Sequence, residues 1–383
     1  MSFGLGKIRV ILILFISLGI VFLGPADRLY DMYEISINKY LRISLLSIML
    51  VYFAITGLSF TKYKFKFGSF ILLFLSVLLI YSFNSHSTTT SLIIVSKALL
   101  WMLAAVVSFR LRLFDKLDNA ILFRSVCIAI PLGCLSSLYV KFFGDLRTSQ
   151  NVGAYGIIWL APLLMISAGK SKIIKSILLF AIVITLLLIL KRGAIIAFSV
   201  GTLLYFFADY ASRNDLSGKI KYFISFIFLS MLVGFLIFLF REALYTRFIE
   251  DPTYRDIFYN LLYNNWKNSD LINFTFGFGS LSVVSFTAYY FGTEGLVAHS
   301  DWMQLTHDYG LVGIFLMLYF YYSLCTLLYS CKSRKLYLAK ILAFSIGAMM
   351  CINLYSGQFF TPNTFLFGLF IGILSADIKR KGV

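Results

Sequence analysis

The stretch IIKSILLFAIVITLLLIL, residues 173–190, followed directly by Lys191-Arg192-Gly193-Ala194, decides the fold of this chain. Its only charged side chain is that of Lys175. A helix needs about 20 apolar residues to cross about 30 Å of hydrocarbon, so this run is long enough to span a bilayer. The paired basic residues behind it are typical of the boundary between membrane and water.

Similar apolar runs recur along the whole chain. Hydrophobic residues make up 60% of the 383 residues, charged residues only 13%, and the mean hydropathy is +0.87. We therefore predict an all-α polytopic membrane protein, a single integral membrane domain over 1–383, with about twelve transmembrane helices. They are expected at about 8–23, 43–59, 68–83, 92–109, 120–142, 152–168, 173–190, 193–208, 222–240, 309–330, 340–354 and 365–378.

Lys and Arg are concentrated in alternate connections between these predicted helices. Of the 34 basic residues, 22 lie in the connections on one side or at the two termini, and the rule that positive charge stays inside makes that side cytoplasmic. The formal charge of +17 is therefore mostly a consequence of topology. Since no basic domain is present to hold a polyanion, the composition excludes a nucleic-acid-binding protein.

The one large polar segment, 241–308, falls between the ninth and tenth predicted helices and faces outward. It carries four basic and eight acidic residues, so its arginines do not belong to a generally basic surface. Apolar spacing predicts an amphipathic helix over 242–267 that is broken near Pro252. The sequence FGFGS at 276–280 predicts a glycine turn in which the backbone can approach a ligand closely.

Two of the three histidines stand with two carboxylates at the end of this segment, in AHSDWMQLTHDYG, residues 298–310. Ser300 suits the N-cap of the tenth helix, and Asp301 and Asp308, seven residues apart, share one face of it. Either acid can orient an imidazole, although the helix dipole alone also explains Asp301 in a first turn. Of the two histidines, His299 is the candidate general base and His307 the alternative.

Several of these motifs, in this order and topology, resemble those of the O-antigen ligase and polymerase superfamily, and more closely those of its repeat-unit polymerases. The resemblance covers about 147–313 by motif. It is carried by KRGA at 191–194, Arg247 and Arg255 ahead of GFGS at 277–280, HSDW at 299–302 running into Gly310 and Gly313, and RTSQNVGAY at 147–155 leading to Pro162.

The resemblance implies a metal-independent glycosyltransferase of the GT-C type, without cofactor, in the bacterial inner membrane. Its implied substrates are glycans linked to undecaprenyl diphosphate, used at the periplasmic face, with both termini of the chain in the cytoplasm. The catalytic residues that it implies are His299, Arg192 and Arg255. Further substrate-binding residues are implied at Arg247, Arg147, Asn151, Asp301, His307 and Asp308.

The chemistry of these residues is consistent with that activity. Without a metal, the growing negative charge on a diphosphate leaving group must be stabilised by guanidinium groups such as those of Arg192 and Arg255. A neutral His299 could take the proton of a sugar hydroxyl, a role worth about 10² to 10⁴ in rate. The alternatives are a helix-end anchor for Arg192, surface ion pairs for Arg247 and Arg255, and a structural histidine.

We therefore expect an O-antigen or capsule repeat-unit polymerase that transfers a growing glycan onto another lipid-linked repeat unit. Its expected partners are lipid-linked oligosaccharide, membrane lipid and a chain-length regulator protein. Two alternatives stay open, namely an O-antigen ligase that transfers glycan to lipid A-core and a polysaccharide flippase or other transporter. The single large outward segment disfavours a transporter, for which two related halves are expected.

Overall fold

In the computed structural model, all the regular secondary structure of the described residues is α-helix. The structure describes residues 13–17, 19, 37–56, 65–83, 85, 88–114, 117–143, 152–167, 171–212, 220, 255–291, 295–332, 336–357, 359–361 and 364–380. The helices of this part of the chain are α1 (Ile37–Thr56), α2 (Gly68–Phe83), α3 (Thr88–Leu113), α4 (Asn119–Phe143), α5 (Val152–Ile166), α6 (Lys172–Ile189), α7 (Arg192–Ser212), α8 (Arg255–Lys267), α9 (Leu271–Phe276), α10 (Ser282–Phe291), α11 (Asp301–Lys332), α12 (Leu336–Tyr355) and α13 (Thr364–Arg380).

Helix is present at eleven of the twelve predicted membrane segments, and in the first of them, 8–23, it is described at 13–17 and 19. Large apolar side chains such as Phe143, Phe207 and Tyr329 are exposed, as expected where a helix faces lipid. The predicted segment 222–240 lies outside the described residues. Six helices of the described part are long and apolar enough to cross a membrane, namely Thr90–Leu113, Asn119–Phe143, Lys172–Ile189, Arg192–Ala211, Asp301–Cys331 and Tyr337–Tyr355.

The apolar run at 173–190 forms α6, and residues that cap the helix define both of its ends. The Ser171 hydroxyl accepts a hydrogen bond from the Ile174 N–H at 3.2 Å, and Leu190 closes the helix in the left-handed region with φ 57°. The turn at Leu190 and Lys191 allows α7 to begin at once, at Arg192. The predicted boundary between these two helices is therefore confirmed.

Small residues bring two pairs of helices into close contact. In the pair α3 and α13, Gly368 and Gly372, spaced as GxxxG, lie against the backbone of α3, and the Ser108 hydroxyl donates to the Leu369 carbonyl at 3.1 Å. In the pair α7 and α12, Gly201 lies so near the Phe344 carbonyl that a Cβ on it would be 2.8 Å away. A larger residue at any of these glycines would force the helices apart.

Buried ion pairs join the same helices at one end of the bundle. The Arg112 guanidinium donates to both carboxylate oxygens of Asp377, at 2.7 and 3.1 Å, and so ties α3 to α13. Lys340 of α12 pairs with Asp209 of α7. We call the opposite end, at which residues 255–291 and 295–300 lie, the loop end.

Helix α11 is folded back on itself at Gly310, whose φ of 60° and ψ of −140° are not helical. Trp302 and Tyr321 would be about 28 Å apart along a straight helix, yet their rings stack with centroids 6.1 Å apart. The segment 301–309 therefore runs alongside 311–332 instead of extending it. The predicted tenth membrane segment, 309–330, corresponds to the second segment, and the helix start predicted at Ser300 corresponds to the first.

Candidate functional site

The segment 301–309 of α11 is held by a compact unit made of α8, α9, α10 and the glycine turn. Leu262, Val283 and Ala298 form its small apolar core. The turn binds α11 through the backbone, since Phe278 N–H donates to the His307 carbonyl at 3.1 Å and Gly279 N–H to the Asp308 carbonyl at 2.9 Å. The glycine turn was predicted to bring its backbone close to a ligand, and in the structure its backbone lies close to α11.

Asp308 is the centre of a buried hydrogen-bond network. Its Oδ1 accepts from the Ser282 hydroxyl at 2.8 Å and from the Val283 N–H at 3.1 Å. Its Oδ2 accepts from the Gln304 amide at 2.7 Å and from the Leu281 N–H at 3.2 Å. Four donors match the acceptor capacity of a carboxylate, so Asp308 fixes the loop before α10 onto α11.

His307 is connected to the same network and is buried. Its Nδ1 lies 2.8 Å from the Ser282 hydroxyl and its Nε2 lies 3.0 Å from the amide nitrogen of Asn265. Because Ser282 gives its proton to the carboxylate, its oxygen accepts Nδ1–H, and Nε2 then accepts from Asn265. Both ring nitrogens are therefore engaged, and the ring stacks on Phe278 with centroids 4.8 Å apart.

The start of α11 is capped as the sequence predicted. The Ser300 hydroxyl accepts from the Met303 N–H at 3.4 Å and donates to the Asn353 carbonyl at 3.2 Å. Asp301 is buried, and its carboxylate accepts the N–H of Phe359 at 3.2 and 3.3 Å. Asp301 thereby binds the connection between α12 and α13.

That connection lies well inside the bundle. The ring of Phe359 stacks on Trp101 with centroids 5.9 Å apart and meets Phe320 edge-on at 4.8 Å. Trp101 stands thirteen residues, about 20 Å of helix, from Thr88 at the start of α3. Asp301 binds this deep connection. The residues next to Asp301 in the chain therefore also lie deeper in the bundle than Thr88, where α3 begins.

His299 precedes the cap and is the exposed histidine of the two in this segment. Its backbone has φ 50°, a left-handed conformation that costs a residue with a Cβ about 1–2 kcal/mol. The Tyr259 hydroxyl donates to its carbonyl at 3.3 Å. Strain of this kind persists only where the surroundings impose it, and it is concentrated at functional sites.

Arg192 is the first residue of α7, and its side chain is half-buried. A Cβ on the next residue, Gly193, would lie 2.5 Å from the Tyr155 hydroxyl and 3.8 Å from Cβ of Tyr355. Only a glycine lets this helix start approach α5 and α12 so closely. The start of α7 lies at the end of α12 that also contacts Ser300.

Arg255 is the first residue of α8. Tyr259, which donates to the His299 carbonyl, stands one helical turn after it. The structure describes the backbone of Arg255 but not its side chain. Arg247, Arg147 and Asn151 lie outside the described residues.

One series of contacts therefore connects the three residues predicted to be catalytic. His299 is joined to the first turn of α8 by Tyr259, and its neighbour Ser300 is joined to α12 at Asn353. Two residues further along α12, Tyr355 contacts the start of α7 beside Arg192. The start of α11 is thus linked directly to α8 and to α12, and the end of α12 lies beside the start of α7.

Sequence reasoning did not find Asn265, Ser282 and Gln304, which complete the network around His307 and Asp308. Ser282 is 26 residues from Asp308, and no local pattern marks it. For Gln304 a weak local signal did exist, because this residue stands one helical turn before Asp308 on the same helix face.

Within the described residues, no group of three or more His, Cys, Asp or Glu side chains is placed to hold a metal ion. The free cysteines do not form such a group either. No protein-family model matches the sequence, and a search of curated proteins finds no similar chain. The function therefore has to be argued from the geometry of these helix starts.

Proposed function

We propose that the protein is a repeat-unit polymerase of the GT-C type. It transfers a glycan from undecaprenyl diphosphate to a second lipid-linked repeat unit at the periplasmic face of the bacterial inner membrane. In this proposal the chain crosses the membrane twelve times, with both termini in the cytoplasm, and a chain-length regulator protein acts with it. The resemblance in motif order and the apolar helices support this assignment.

The observation that carries the proposal is the series of contacts that joins His299 to α8, which begins with Arg255, and its neighbour Ser300 to the helix α12 whose end lies beside Arg192. A helix start offers backbone N–H donors and a positive dipole end, and both favour a phosphate group. An arginine as the first helical residue adds a planar fork that binds two phosphate oxygens at once. An exposed imidazole linked through such contacts to two arginine-bearing helix starts has the composition of a site that transfers a group from a phosphate.

In the proposed reaction, the arginines bind the diphosphate and stabilise the charge that develops when the bond between the sugar C1 and the phosphate oxygen breaks. The acceptor hydroxyl attacks C1 as His299 takes its proton. A glycosidic bond replaces the phosphoester, and undecaprenyl diphosphate leaves with the electron pair. Direct displacement of this kind inverts the configuration at C1.

The buried His307 has a supporting role in this mechanism. Its nitrogens are bound by Ser282 and Asn265, so it cannot reach an acceptor without breaking both contacts. It fixes the segment 301–309 and thereby the position of the cap at Ser300. We therefore assign the general base to His299 and a positioning role to His307.

The test is an assay with purified protein and a synthetic undecaprenyl-diphosphate repeat unit, with lipid A-core supplied as acceptor in a second arm. His299→Ala should abolish polymerisation while donor binding persists, because removing a base lowers turnover without removing ground-state contacts. His86→Ala, at the third histidine of the chain, is the matched control and should be fully active. Product only with lipid A-core would identify a ligase, and no product in either arm would refute a transferase.

Arg192 is tested by an exchange that keeps the charge. Arg192→Lys loses the bidentate geometry and should lower activity at least tenfold, about 1.4 kcal/mol of transition-state stabilisation. Lys191→Arg, the neighbouring exchange in the other direction, should leave activity unchanged. Equal activity in both variants would reduce Arg192 to a helix-end anchor.

A further inference from the structure

Helix α9, which leads into the glycine turn, leaves its large apolar side chains outside the fold. Leu271 is 79% exposed, Ile272 71% and Phe276 54%, and none of the six residues of this helix is buried. Ile272 and Phe276 stand four residues apart, so they lie on the same face. Neighbouring apolar side chains that a fold leaves exposed mark a surface that binds a partner or a membrane.

The end of α9 is joined to the end of the apolar helix α2. Tyr81, in the last turn of α2, donates its hydroxyl to the Phe276 carbonyl at 2.8 Å. The ring of Tyr81 also meets that of Tyr309 edge-on, with centroids 4.7 Å apart. Tyr309 belongs to α11, on which α9 packs. The end of α9 therefore lies at the level of the last turn of α2.

The length of α2 sets the depth of this level in the membrane. Helix α2 has 16 residues, none of them charged, and is about 24 Å long, which is less than a hydrocarbon core of about 30 Å. Exposed Lys66 marks the water boundary two residues before the helix begins. From Gly68 to Tyr81 the helix rises about 20 Å. A helix this short that begins at one boundary ends below the other, so Tyr81 holds the end of α9 at the depth of the lipid chains.

The apolar face of α9 extends a surface of α2 that faces lipid. Ile80 and Phe83 stand in the same last turn of α2 as Tyr81, and both are exposed. Because Tyr81 joins Phe276 to this turn, the exposed side chains of the two helices belong to one apolar surface. The lipid that covers α2 therefore also covers α9.

The start of α9 has the polarity expected where a chain enters a membrane from water. The preceding residues, 267–270, read KNSD, and the sequence becomes apolar at Leu271. The carboxylate of Asp270 accepts from the Ile272 N–H and the Asn273 N–H, both at 2.9 Å. Two backbone donors that a helix start leaves unpaired are thus satisfied without water, as lipid requires.

The carbonyl groups at the end of α9 are satisfied in the same way. The Phe274 carbonyl accepts from the indole N–H of Trp266 at 2.9 Å, and the Phe276 carbonyl accepts from Tyr81. Both donors are aromatic side chains with one polar atom, the type that is enriched where membrane meets water. A short helix with such partners at both ends is suited to lie in the membrane interface.

We propose that α9 is an anchor in the membrane interface, with Leu271, Ile272 and Phe276 inserted among the phospholipid chains at the loop end. The occupant of this face is phospholipid because the face lies at lipid depth and continues the surface of α2. Since α9 leads directly into the glycine turn that binds α11, the anchor holds the compact unit and the segment 301–309 against the membrane. This inference is independent of the reaction that the protein catalyses.

The first experiment identifies what touches this face. p-Benzoylphenylalanine replaces Ile272 in the full-length protein, in vesicles of phosphatidylethanolamine and phosphatidylglycerol. Ultraviolet irradiation should give an adduct with the mass of the protein plus one phospholipid. The same probe at Phe83 is the lipid-facing reference, and at the exposed, polar Asn268 it is the matched control, with at least tenfold less lipid adduct.

Two results of this experiment would overturn the inference. A lipid adduct at residue 83 without one at residue 272 would show that the apolar face of α9 lies in water. A covalent dimer in place of the lipid adduct at residue 272 would assign the face to a second copy of the chain.

The second experiment measures the depth of α9 with an impermeant maleimide in the same vesicles, read at each site by peptide mass spectrometry. A thiol reacts as the thiolate, which hydrocarbon disfavours, so N268C should be labelled at least tenfold faster than F276C. Adding L271D/I272D should speed labelling of F276C at least tenfold and leave N268C unchanged, because carboxylates are costly among lipid chains. Equal rates at N268C and F276C without these aspartates would overturn the anchor.

Discussion

Replacing Gly310 by alanine tests the fold-back of α11 directly. Its φ of 60° and ψ of −140° lie in a region that only glycine adopts readily, at a cost of about 1–3 kcal/mol for alanine. The new Cβ would lie 2.5 Å from the Gly277 nitrogen and 2.7 Å from the Phe274 carbonyl oxygen, both backbone atoms. Overpacking against backbone adds about 1–3 kcal/mol, so we expect a total cost of about 2–6 kcal/mol.

This cost falls on the contact between the glycine turn and α11. Separating them breaks the hydrogen bonds from Phe278 N–H and Gly279 N–H and releases the segment that positions His299. A displacement of about 1 Å at a catalytic group can lower activity about 10²-fold, so Gly310→Ala should be nearly inactive even where the bundle is intact. The matched control is Gly68→Ala, whose Cβ meets only the Phe65 side chain, at 3.3 Å.

Tryptophan fluorescence during thermal unfolding separates the two regions of the protein. Trp266 lies in the compact unit of α8 to α10 and Trp302 lies on the segment 301–309 that this unit holds, whereas Trp101 and Trp159 are buried in the bundle. Gly310→Ala should show an early transition from the first pair, which Gly68→Ala lacks. If both variants unfold in one transition at the wild-type temperature and retain full activity, the fold-back does not hold the site and the reasoning is refuted.

Four further results are expected. Ser282→Ala removes a hydroxyl donor from a buried carboxylate and should lower stability by about 2 kcal/mol, seen as a fall of a few degrees in Tm; an unchanged Tm would mean that the network is not formed. Cysteines at Trp302 and Tyr321 should be joined by a short bismaleimide, which a straight α11 would not allow. In intact cells an impermeant thiol reagent should label a cysteine at the exposed Asn268 and spare one at Ala211, and the reverse pattern would invert the proposed orientation. EDTA should leave polymerisation by the purified protein unchanged, and activity restored by Mg²⁺ after EDTA would reveal a metal site.

The positions of the helices were largely predictable from the sequence. In lipid every backbone polar group must be paired within the segment, so the length of an apolar run determines where a helix lies. That rule located α6, and the sequence also placed the boundary before Arg192. It did not reveal the break at Gly310, because one glycine in a helical pattern is equally compatible with a straight helix. The break becomes necessary only once the glycine turn at 277 occupies the path of a straight α11.

The candidate site was predictable only where its contacts are local. The cap at Ser300 follows from residues three positions apart, and the structure confirms it. The partner of Asp301 is a backbone N–H 58 residues away, and the partner of Asp308 is a serine 26 residues away. Short-range patterns carry no information about such pairs, because tertiary packing alone brings them together.

The two histidines of the loop end show why burial and function separate here. His307 is held by Asn265, Ser282 and an aromatic stack, so its ring is fixed and its nitrogens are occupied. The backbone of His299 is restrained, through its carbonyl and through the neighbouring cap, while its side chain is exposed. A general base needs a fixed position together with a ring that a substrate can reach. In the proposed mechanism the buried network around His307 supplies the fixed position, and His299 supplies the ring that the substrate reaches.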